Sequence, residues 1–260
     1  MDYKLRPKDI IVVGGASGIG YKTAQKLLSS GAQSVILASR NLQKLSHAQS
    51  ALKLLANQNV SIIQFDISDV SSHETLMHNA EELLGRVPDG LVISSGVNFD
   101  GGNWKGFNIS EDDWDRVMDT NLKGVFFLMR NFANYLHARQ VKGNICIVSS
   151  ISAHRDLLSV YQISKNAISG IVHAYGKHLC ERGIVLNCVE PGTTNTDMMR
   201  WLAEYTDGKR PGKQWNDNSI RRLIRPEEIA DVICFLMSEL GEILSGSCVL
   251  ASGGCKSIAR

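Results

Sequence analysis

A tyrosine and a lysine four residues apart, Tyr161 and Lys165, are the residues best suited to proton chemistry. If this segment is helical, the spacing places both side chains on one face, about 6 Å apart along the axis. A nearby ammonium favours the phenolate, so it lowers the pKa of the tyrosine and lets the phenol exchange a proton with a carbonyl oxygen. An isolated Tyr-x-x-x-Lys is usually an ordinary amphipathic pair, so the hypothesis depends on its surroundings.

Two serines, Ser149 and Ser150, end the apolar run before this helical segment. If the run is a strand, its carboxyl end lies at the sheet edge where ligands of open α/β sheets bind. A serine hydroxyl there can hydrogen-bond the substrate oxygen. Serine, tyrosine and lysine at one edge predict hydride-transfer chemistry on a carbonyl or alcohol carbon.

A glycine-rich turn follows the first apolar run, with Gly14, Gly18 and Gly20 around Ser17 and Ile19. Glycines allow a tight turn and a close approach to a pyrophosphate, whose charge is met by the free N–H groups of the next helix. Such a turn can also be purely structural. Its place in a strand–helix–strand pattern favours dinucleotide binding.

The second apolar run ends in Ser39 and Arg40 instead of the acidic residue that usually binds the ribose hydroxyls of NADH. Arg40 would attract a 2′-phosphate, so NADPH is predicted and NADH is less favoured. The alternative is a solvated arginine at a strand end. Asp66, after the third run, would accept a hydrogen bond from the adenine amino group or begin the next turn.

The elements that must position these residues alternate along the chain, which predicts parallel strands with crossover helices. The fold class is therefore a doubly wound, Rossmann-type α/β sheet of seven parallel strands with helices on both faces. The predicted strands are Asp9–Val13, Ser34–Ala38, Ser61–Phe65, Gly90–Ser94, Gly143–Ser149, Ile184–Glu190 and Ser247–Ala251; the predicted helices are Gly20–Ser30, Leu42–Asn57, Ser72–Leu84, Glu111–Ala138, Val160–Arg182 and Pro226–Leu240. No linker interrupts this order, so residues 1–260 are predicted to form one domain, with residues 193–225 as a substrate lid.

Composition narrows the function further. A formal charge of +2, with scattered lysine and arginine, gives no signature of nucleic-acid or membrane-surface binding. The six cysteines lack a C-x-x-C pair or metal-type spacing, so reduced core thiols and no metal site are expected. No apolar stretch near the start resembles a signal or membrane span, so a cytoplasmic location is the expectation.

In combination these motifs resemble the short-chain dehydrogenase/reductase family, in the branch that includes 3-oxoacyl-carrier-protein reductases. The resemblance covers essentially the whole chain and includes the glycine turn, Asp66-Ile67, Asn121-Leu122-Lys123-Gly124, Ser150, Tyr161 to Lys165, Pro191-Gly192 with Thr196, and Ser252-Gly253-Gly254. It implies a catalytic set of Asn121, Ser150, Tyr161 and Lys165, in which Tyr161 is the general acid/base and Asn121 holds a water for proton relay. The cofactor-binding set is Gly14, Ser17, Gly18, Ile19, Gly20, Ser39, Arg40, Asp66, Ile67, Gly96, Tyr161, Lys165, Pro191, Gly192, Thr194 and Thr196.

The chain also departs from the family pattern. Ser150 precedes Tyr161 by only 11 positions, so Ser149 or Ser152 could take the role of Ser150. Asn121 could be merely a polar residue within a helix. Asn98 to Trp104 and the loop bearing His154 and Arg155 are expected to line the substrate pocket; the latter pair suggests an anionic or strongly polar substrate, although such side chains are often just solvated.

The leading function is an NADPH-dependent carbonyl reductase, or the same chemistry in reverse, acting on a small-molecule carbonyl or alcohol substrate. An epimerase or dehydratase is a rival, but only six residues follow Gly254, too few for the extra substrate domain of those relatives. A catalytically silent dinucleotide-binding regulatory or scaffold protein is the alternative from another class. The apolar segments Val117–Leu136 and Ile168–Leu179 suggest a homo-oligomer, a dimer or a tetramer.

Overall fold

A seven-stranded parallel sheet forms the centre of the molecule, in the order β3-β2-β1-β4-β5-β6-β7. The computed structural model describes residues 4–56, 59–98, 109–155, 159–199 and 218–255. Its strands are β1 (Asp9–Val13), β2 (Ser34–Ser39), β3 (Asn59–Gln64), β4 (Gly90–Ile93), β5 (Gly143–Val148), β6 (Ile184–Pro191) and β7 (Cys248–Ala251). The predicted single-domain, doubly wound fold is confirmed.

The strands are apolar on both faces because each face packs against helices. In β1, Ile11 and Val13 join one core while Ile10 and Val12 join the other, as the two-residue period of a strand requires. The helices of the described segments are α1 (Gly18–Ser29), α2 (Leu42–Ala56), α3 (His73–Leu84), α4 (Glu111–Met118), α5 (Gly124–Ala138), α6 (Val160–Cys180) and α7 (Pro226–Leu236). Residues of α3, α5 and α6 fill the first core, and residues of α1, α2 and α7 fill the second.

Two predicted helices differ from the structure. The segment predicted as one helix, Glu111–Ala138, is divided by a π-helical turn, Asp119–Lys123, between α4 and α5. The last predicted helix ends at Leu236, before Leu240, and a 3₁₀ segment, Glu239–Leu244, follows it. Both segments keep apolar residues at helical spacing across the change, so the pattern does not reveal where the hydrogen bonding changes.

The helix that carries Tyr161 and Lys165 has a well-defined start. The Ser159 hydroxyl accepts a hydrogen bond from the Gln162 backbone N–H (3.2 Å), and the Gln162 side chain accepts one from the Ser159 backbone N–H (2.9 Å). This capping box satisfies two N–H groups of the first turn and fixes the rotation of α6. Tyr161 lies in that turn, so the cap determines which way its ring points.

The strand order reverses beside β1, whose neighbours are β2 and β4. The connections leaving β1 and β4 therefore diverge and open a crevice at the carboxyl edge of the sheet, where ligands of such folds bind. Within the described residues, no helix is long and apolar enough to cross a membrane.

Candidate active site

The glycine turn after β1 has the close packing that its residue types predict. Gly14 has φ of +84° and Gly18 has φ of +54°, a left-handed conformation that favours glycine. A Cβ on Gly20 would lie 2.3 Å from the Gly14 carbonyl oxygen, so no side chain fits there. The turn thus brings the start of α1 against the end of β1.

The start of α1 leaves hydrogen-bond donors for a ligand. Ser17 is the N-cap residue, but its side chain accepts no hydrogen bond from the helix. The N–H groups of the first turn and the positive end of the helix dipole can therefore meet an anion. Thr196, near the end of a described segment, lies beside this turn, with its Cγ2 3.4 Å from the position of a Cβ on Gly18. Ile19 is half-buried and packs against the second core.

The end of β2 also fits a cofactor. The Ser39 hydroxyl is buried and has no hydrogen-bond partner among the described residues, which is costly unless a ligand supplies one. Arg40 follows it and is exposed, while Gln64 donates a hydrogen bond to the Arg40 carbonyl oxygen (3.0 Å) and holds the backbone there. The backbone of Arg40 is therefore fixed at the carboxyl end of β2, and its side chain is exposed there.

Asp66 begins a turn, which is one of its two predicted roles. Its Oδ1 accepts hydrogen bonds from the Ser68 backbone N–H (3.0 Å) and from the Ser68 hydroxyl (2.7 Å). The next residue, Ile67, is buried, and its carbonyl oxygen is 2.9 Å from His73 Nε2. The Asp66-Ile67 loop is thus held from both sides, and its place at the carboxyl end of β3 suits an adenine ring.

Tyr161, Ser150 and Lys165 meet at the carboxyl end of β5. The Ser150 hydroxyl lies close enough to Tyr161 to lower the pKa of the phenol, and the Lys165 ammonium lies 5.7 Å from the centre of the Tyr161 ring. Lys165 is 4% exposed, and its Nζ donates a hydrogen bond to the Val148 carbonyl oxygen (3.1 Å). The predicted serine, tyrosine and lysine therefore come together.

The neighbouring serines have other partners. The Ser149 hydroxyl donates to the Lys165 carbonyl oxygen (3.1 Å), so it points to the backbone of α6. The Ser152 backbone N–H donates to the Ser150 hydroxyl (3.1 Å). These contacts favour Ser150 over Ser149 as the serine beside Tyr161.

The prediction that Lys165 lowers the pKa of Tyr161 is wrong. Burial of the hydroxyl raises the pKa of Tyr161, and the nearby Ser150 hydroxyl offsets only part of that rise. Burial also lowers the pKa of Lys165 to about 8. The low-dielectric surroundings therefore disfavour the charged form of Lys165 as well. The four-residue spacing of the two side chains on a helix gives no information about this burial.

Asn121 lies in the π-helical turn between α4 and α5 and is fully buried. Its Oδ1 accepts from the Val97 backbone N–H (2.8 Å), and its Nδ2 donates to the Val97 carbonyl oxygen (2.8 Å) and to Ser164 (3.3 Å). The amide therefore clamps the loop after β4 to α6. Both Nδ2 hydrogens are thereby used, so a relay water could bond this side chain only at Oδ1.

Gly96 lies between the clamp and the lysine. A Cβ on this residue would be 3.5 Å from both Asn121 Oδ1 and Lys165 Nζ. Its missing side chain leaves the backbone of the loop after β4 close to the lysine. Gly96 thus lies where a nicotinamide ribose could reach Lys165.

Residues after β6 complete the crevice. Pro191 ends that strand, and Gly192 packs tightly on β7, since a Cβ there would be 2.9 Å from Ser252 Cα. Thr194 is buried and its hydroxyl donates to the Gly192 carbonyl oxygen (2.9 Å). The predicted lid, residues 193–225, continues from here, but its central part, like residues 99–104 of the predicted substrate loop, lies outside the described residues.

Sequence reasoning missed Glu190 as a functional residue. This carboxylate is buried directly before Pro191 and bonds to Ser169 and His154, so His154 is paired inward and not merely solvated. The available signal was a charged residue within an apolar strand. Possible metal-ligand atoms lie within 4.8 Å of one another on Glu190, Cys188 and Cys248. Both Glu190 oxygens, however, already accept hydrogen bonds.

The six cysteines form no disulfide, and all lie in described segments. Three of them, Cys146, Cys188 and Cys234, are buried, and burial raises the pKa of each thiol. Cys180 is exposed, so the expectation of core thiols is wrong for that residue. Its place in the last turn of α6 puts it on the solvent side.

This fold and crevice define a Rossmann-type α/β protein with a ligand edge at the strand carboxyl ends. The family model described as short chain dehydrogenase matches residues 8–206. The chain therefore belongs to the short-chain dehydrogenase/reductase family of oxidoreductases.

Individual relatives agree. The chain is 30% identical over 251 residues to dehydrogenase/reductase SDR family member 4 of Bos taurus, covering 95% of this chain and 86% of that protein. A dehydrogenase/reductase structure from Sinorhizobium meliloti 1021 has a TM-score of 0.83 at 26% identity, with 98% and 97% of the two chains covered. L-sorbose reductase from Gluconobacter frateurii, complexed with NADPH and L-sorbose, has a TM-score of 0.84 at 22% identity over 100% of both chains, and shows the same fold.

Proposed function

We propose that this protein reduces a ketone to a secondary alcohol with NADPH, or runs the reverse reaction, with Tyr161 as general acid/base. The observation that carries the proposal is the grouping of the Ser150 hydroxyl, Tyr161 and Lys165 at the ligand edge of the sheet. Bound NADPH would supply the hydride. The protein would supply the proton and hold the carbonyl oxygen.

In the reductive direction, the substrate oxygen would lie between the Ser150 and Tyr161 hydroxyls. Ser150 would donate a hydrogen bond that orients the carbonyl, and the Tyr161 hydroxyl would transfer its proton to the oxygen as negative charge develops there. The raised pKa of Tyr161 keeps the phenol protonated and ready to donate. Lys165 would hydrogen-bond the nicotinamide ribose and stabilise the phenolate that remains until solvent returns the proton.

The cofactor groups would be held by the residues around the crevice. The pyrophosphate would lie on the N–H groups at the start of α1, and the Ser39 hydroxyl would gain the partner it lacks among the described residues. Arg40 would bind a 2′-phosphate, which favours NADPH over NADH. Asp66 and Ile67 would flank the adenine, and Gly96, Pro191, Gly192, Thr194 and Thr196 would lie beside the nicotinamide half.

The test is consumption of NADPH with a panel of ketones by the wild-type protein and by Tyr161→Phe. We expect turnover in the wild type, a fall of at least about 100-fold in kcat for Tyr161→Phe, and an unchanged Kd for NADPH in both. Binding without turnover in the wild type would instead favour the silent regulatory or scaffold protein. Equal rates in the two proteins would remove Tyr161 from the chemistry.

We also infer a homo-oligomer and a cytoplasmic location. The exposed apolar side chains include Leu250 on the edge strand β7 and Ile243, which is 90% exposed, and surfaces of this kind are typical of subunit contacts. Light scattering of the purified protein tests the first inference, since a mass of one chain would contradict it. Fractionation of expressing cells tests the second.

A further inference from the structure

Glu190 is a buried carboxylate that the proposed reaction does not use. It is 1% exposed, and it lies near the end of β6, directly before Pro191. Burying a carboxylate is costly unless it is paired and hydrogen-bonded. Its presence here therefore requires a set of partners.

Both oxygens of Glu190 have short hydrogen bonds. Oε1 accepts from the Ser169 hydroxyl (2.6 Å), and Oε2 is 2.6 Å from His154 Nε2. When Glu190 is ionised its oxygens only accept, so the donor to that carboxylate is then the Nε2–H of His154. Among the described residues, the thiols of Cys188 and Cys248 also lie beside the carboxylate.

The two partners belong to the two parts of the candidate active site. Ser169 lies one turn after Lys165 on α6, and both residues are on the same helix face. His154 ends the 3₁₀ turn Ile151–His154, and the Ser150 hydroxyl caps this turn by accepting from the Ser152 N–H. Glu190 therefore connects the helix of Tyr161 and Lys165 with the loop of Ser150, from the strand that leads to Pro191 and Gly192.

We propose that Glu190 is a positioning residue for the proposed carbonyl reduction. It holds the Ser150 loop and α6 at a fixed separation, so that the Ser150 and Tyr161 hydroxyls reach the same substrate oxygen. Alignment of this kind matters because a displacement of about 1 Å can lower a rate about 100-fold. The inference rests on the proposed function, but it also requires that Glu190 restrict the motion of the Ser150 loop, which can be measured separately.

The variants are Glu190→Gln, His154→Leu and their double. In Glu190→Gln the amide oxygen can still accept from Ser169, but the charge-assisted bond to His154 becomes at most a weaker neutral bond to the other imidazole tautomer, so this connection is weakened while the shape is kept. The matched control is Glu81→Gln on α3, which loses a carboxylate that also accepts from two side chains, Tyr135 and Arg139, both on or next to α5.

We expect Glu190→Gln to lower kcat about tenfold while the Kd for NADPH stays within twofold. Backbone amides of residues 150–155 should exchange with deuterium faster than in the wild type. The double variant should lose no more than about twofold beyond the larger single loss, because both changes break the same connection. Glu81→Gln should change neither kcat nor exchange in that loop.

A lower melting temperature for Glu190→Gln with wild-type kcat and loop exchange would overturn the proposal, since the carboxylate would then be structural only. So would fully additive losses in the double variant. If Glu190→Gln does not fold, Ser169→Ala and His154→Leu each remove one bond and take its place in the same comparison. If the wild type does not turn over any ketone, the proposed function fails, and loop exchange alone then decides whether Glu190 holds the loop.

Discussion

The side chain of Asn121 hydrogen-bonds both the N–H and the C=O of Val97, at 2.8 Å each. An asparagine amide is one of the few side chains that can satisfy a backbone donor and acceptor at once. The contact joins the loop after β4 to the π-helical turn, and the third bond, to Ser164, joins it to α6. The position of that loop beside Lys165 therefore depends on one amide.

Asn121→Asp should disrupt this clamp. A carboxylate still accepts from the Val97 N–H, but its second oxygen faces the Val97 carbonyl and cannot donate to it. We expect a loss of about 2 kcal/mol in the free energy of unfolding and a fall of more than tenfold in kcat. Urea unfolding and steady-state kinetics check this, and wild-type values for both would contradict the clamp.

Ser150 and Ser149 should differ in what they support. Ser150→Ala removes the hydroxyl beside Tyr161 and the cap of the 3₁₀ turn, so kcat should fall 10-fold to 1,000-fold while stability falls by about 1 kcal/mol. Ser149→Ala removes a bond to the backbone of α6, so it should cost about 1 kcal/mol of stability and less activity. The opposite ranking of kcat in these two variants would show that the serine roles are exchanged.

Arg40 should set the choice between NADPH and NADH. Arg40→Glu places a negative charge where a 2′-phosphate would bind, so the preference in kcat/KM should move from NADPH towards NADH by at least about tenfold. Because Arg40 is exposed, the unfolding free energy should change by less than about 0.5 kcal/mol. An unchanged ratio would mean that the 2′-phosphate is bound elsewhere.

Lys165 should make stability depend on pH. Its pKa falls from 10.5 to about 8 on folding, so below pH 8 the folded protein bears the cost of a buried charge. Between pH 8 and 10.5 the folded protein releases that proton first, and the contribution of Lys165 to the unfolding free energy rises with pH. Lys165→Met lacks this pH-dependent contribution. The difference in unfolding free energy, Lys165→Met minus wild type, should therefore be higher at pH 7 than at pH 10.5, by roughly 3 kcal/mol. Urea unfolding without cofactor measures this difference, and a constant value across pH would contradict the buried charge.

Gly20→Ala should prevent the glycine turn from closing. A Cβ would lie 2.3 Å from the Gly14 carbonyl oxygen, and neither backbone can move without opening the start of α1. We expect a loss of more than about 2 kcal/mol in stability and a loss of NADPH binding. Gly31→Ala is the control for glycine removal outside the site, since a Cβ there meets nothing within 4 Å and the cost is only that of its φ of +96°.

Much of the fold was predictable because buried parallel strands are apolar on both faces, and all seven strands are found with ends shifted by no more than two residues. The meeting of Ser150, Tyr161 and Lys165 was predictable for the same reason, since parallel strands bring their carboxyl ends to one edge. The sign of the Tyr161 pKa shift was not, because desolvation depends on atoms far apart in the sequence. The pairing of Glu190 with His154 and Ser169 could not be predicted either, because these partners lie 36 and 21 residues away in the sequence.

The π-helical turn at Asp119–Lys123 is the equivalent of one extra residue inserted into a continuous helix. Removing a single residue there would restore regular α-helical bonding and rotate everything on one side of the turn by about 100° relative to the other. Phe132 and Leu136 of α5 would then leave the core, or Asn121 would turn away from Val97. A shortened chain could keep its interior or its active-site clamp, but not both.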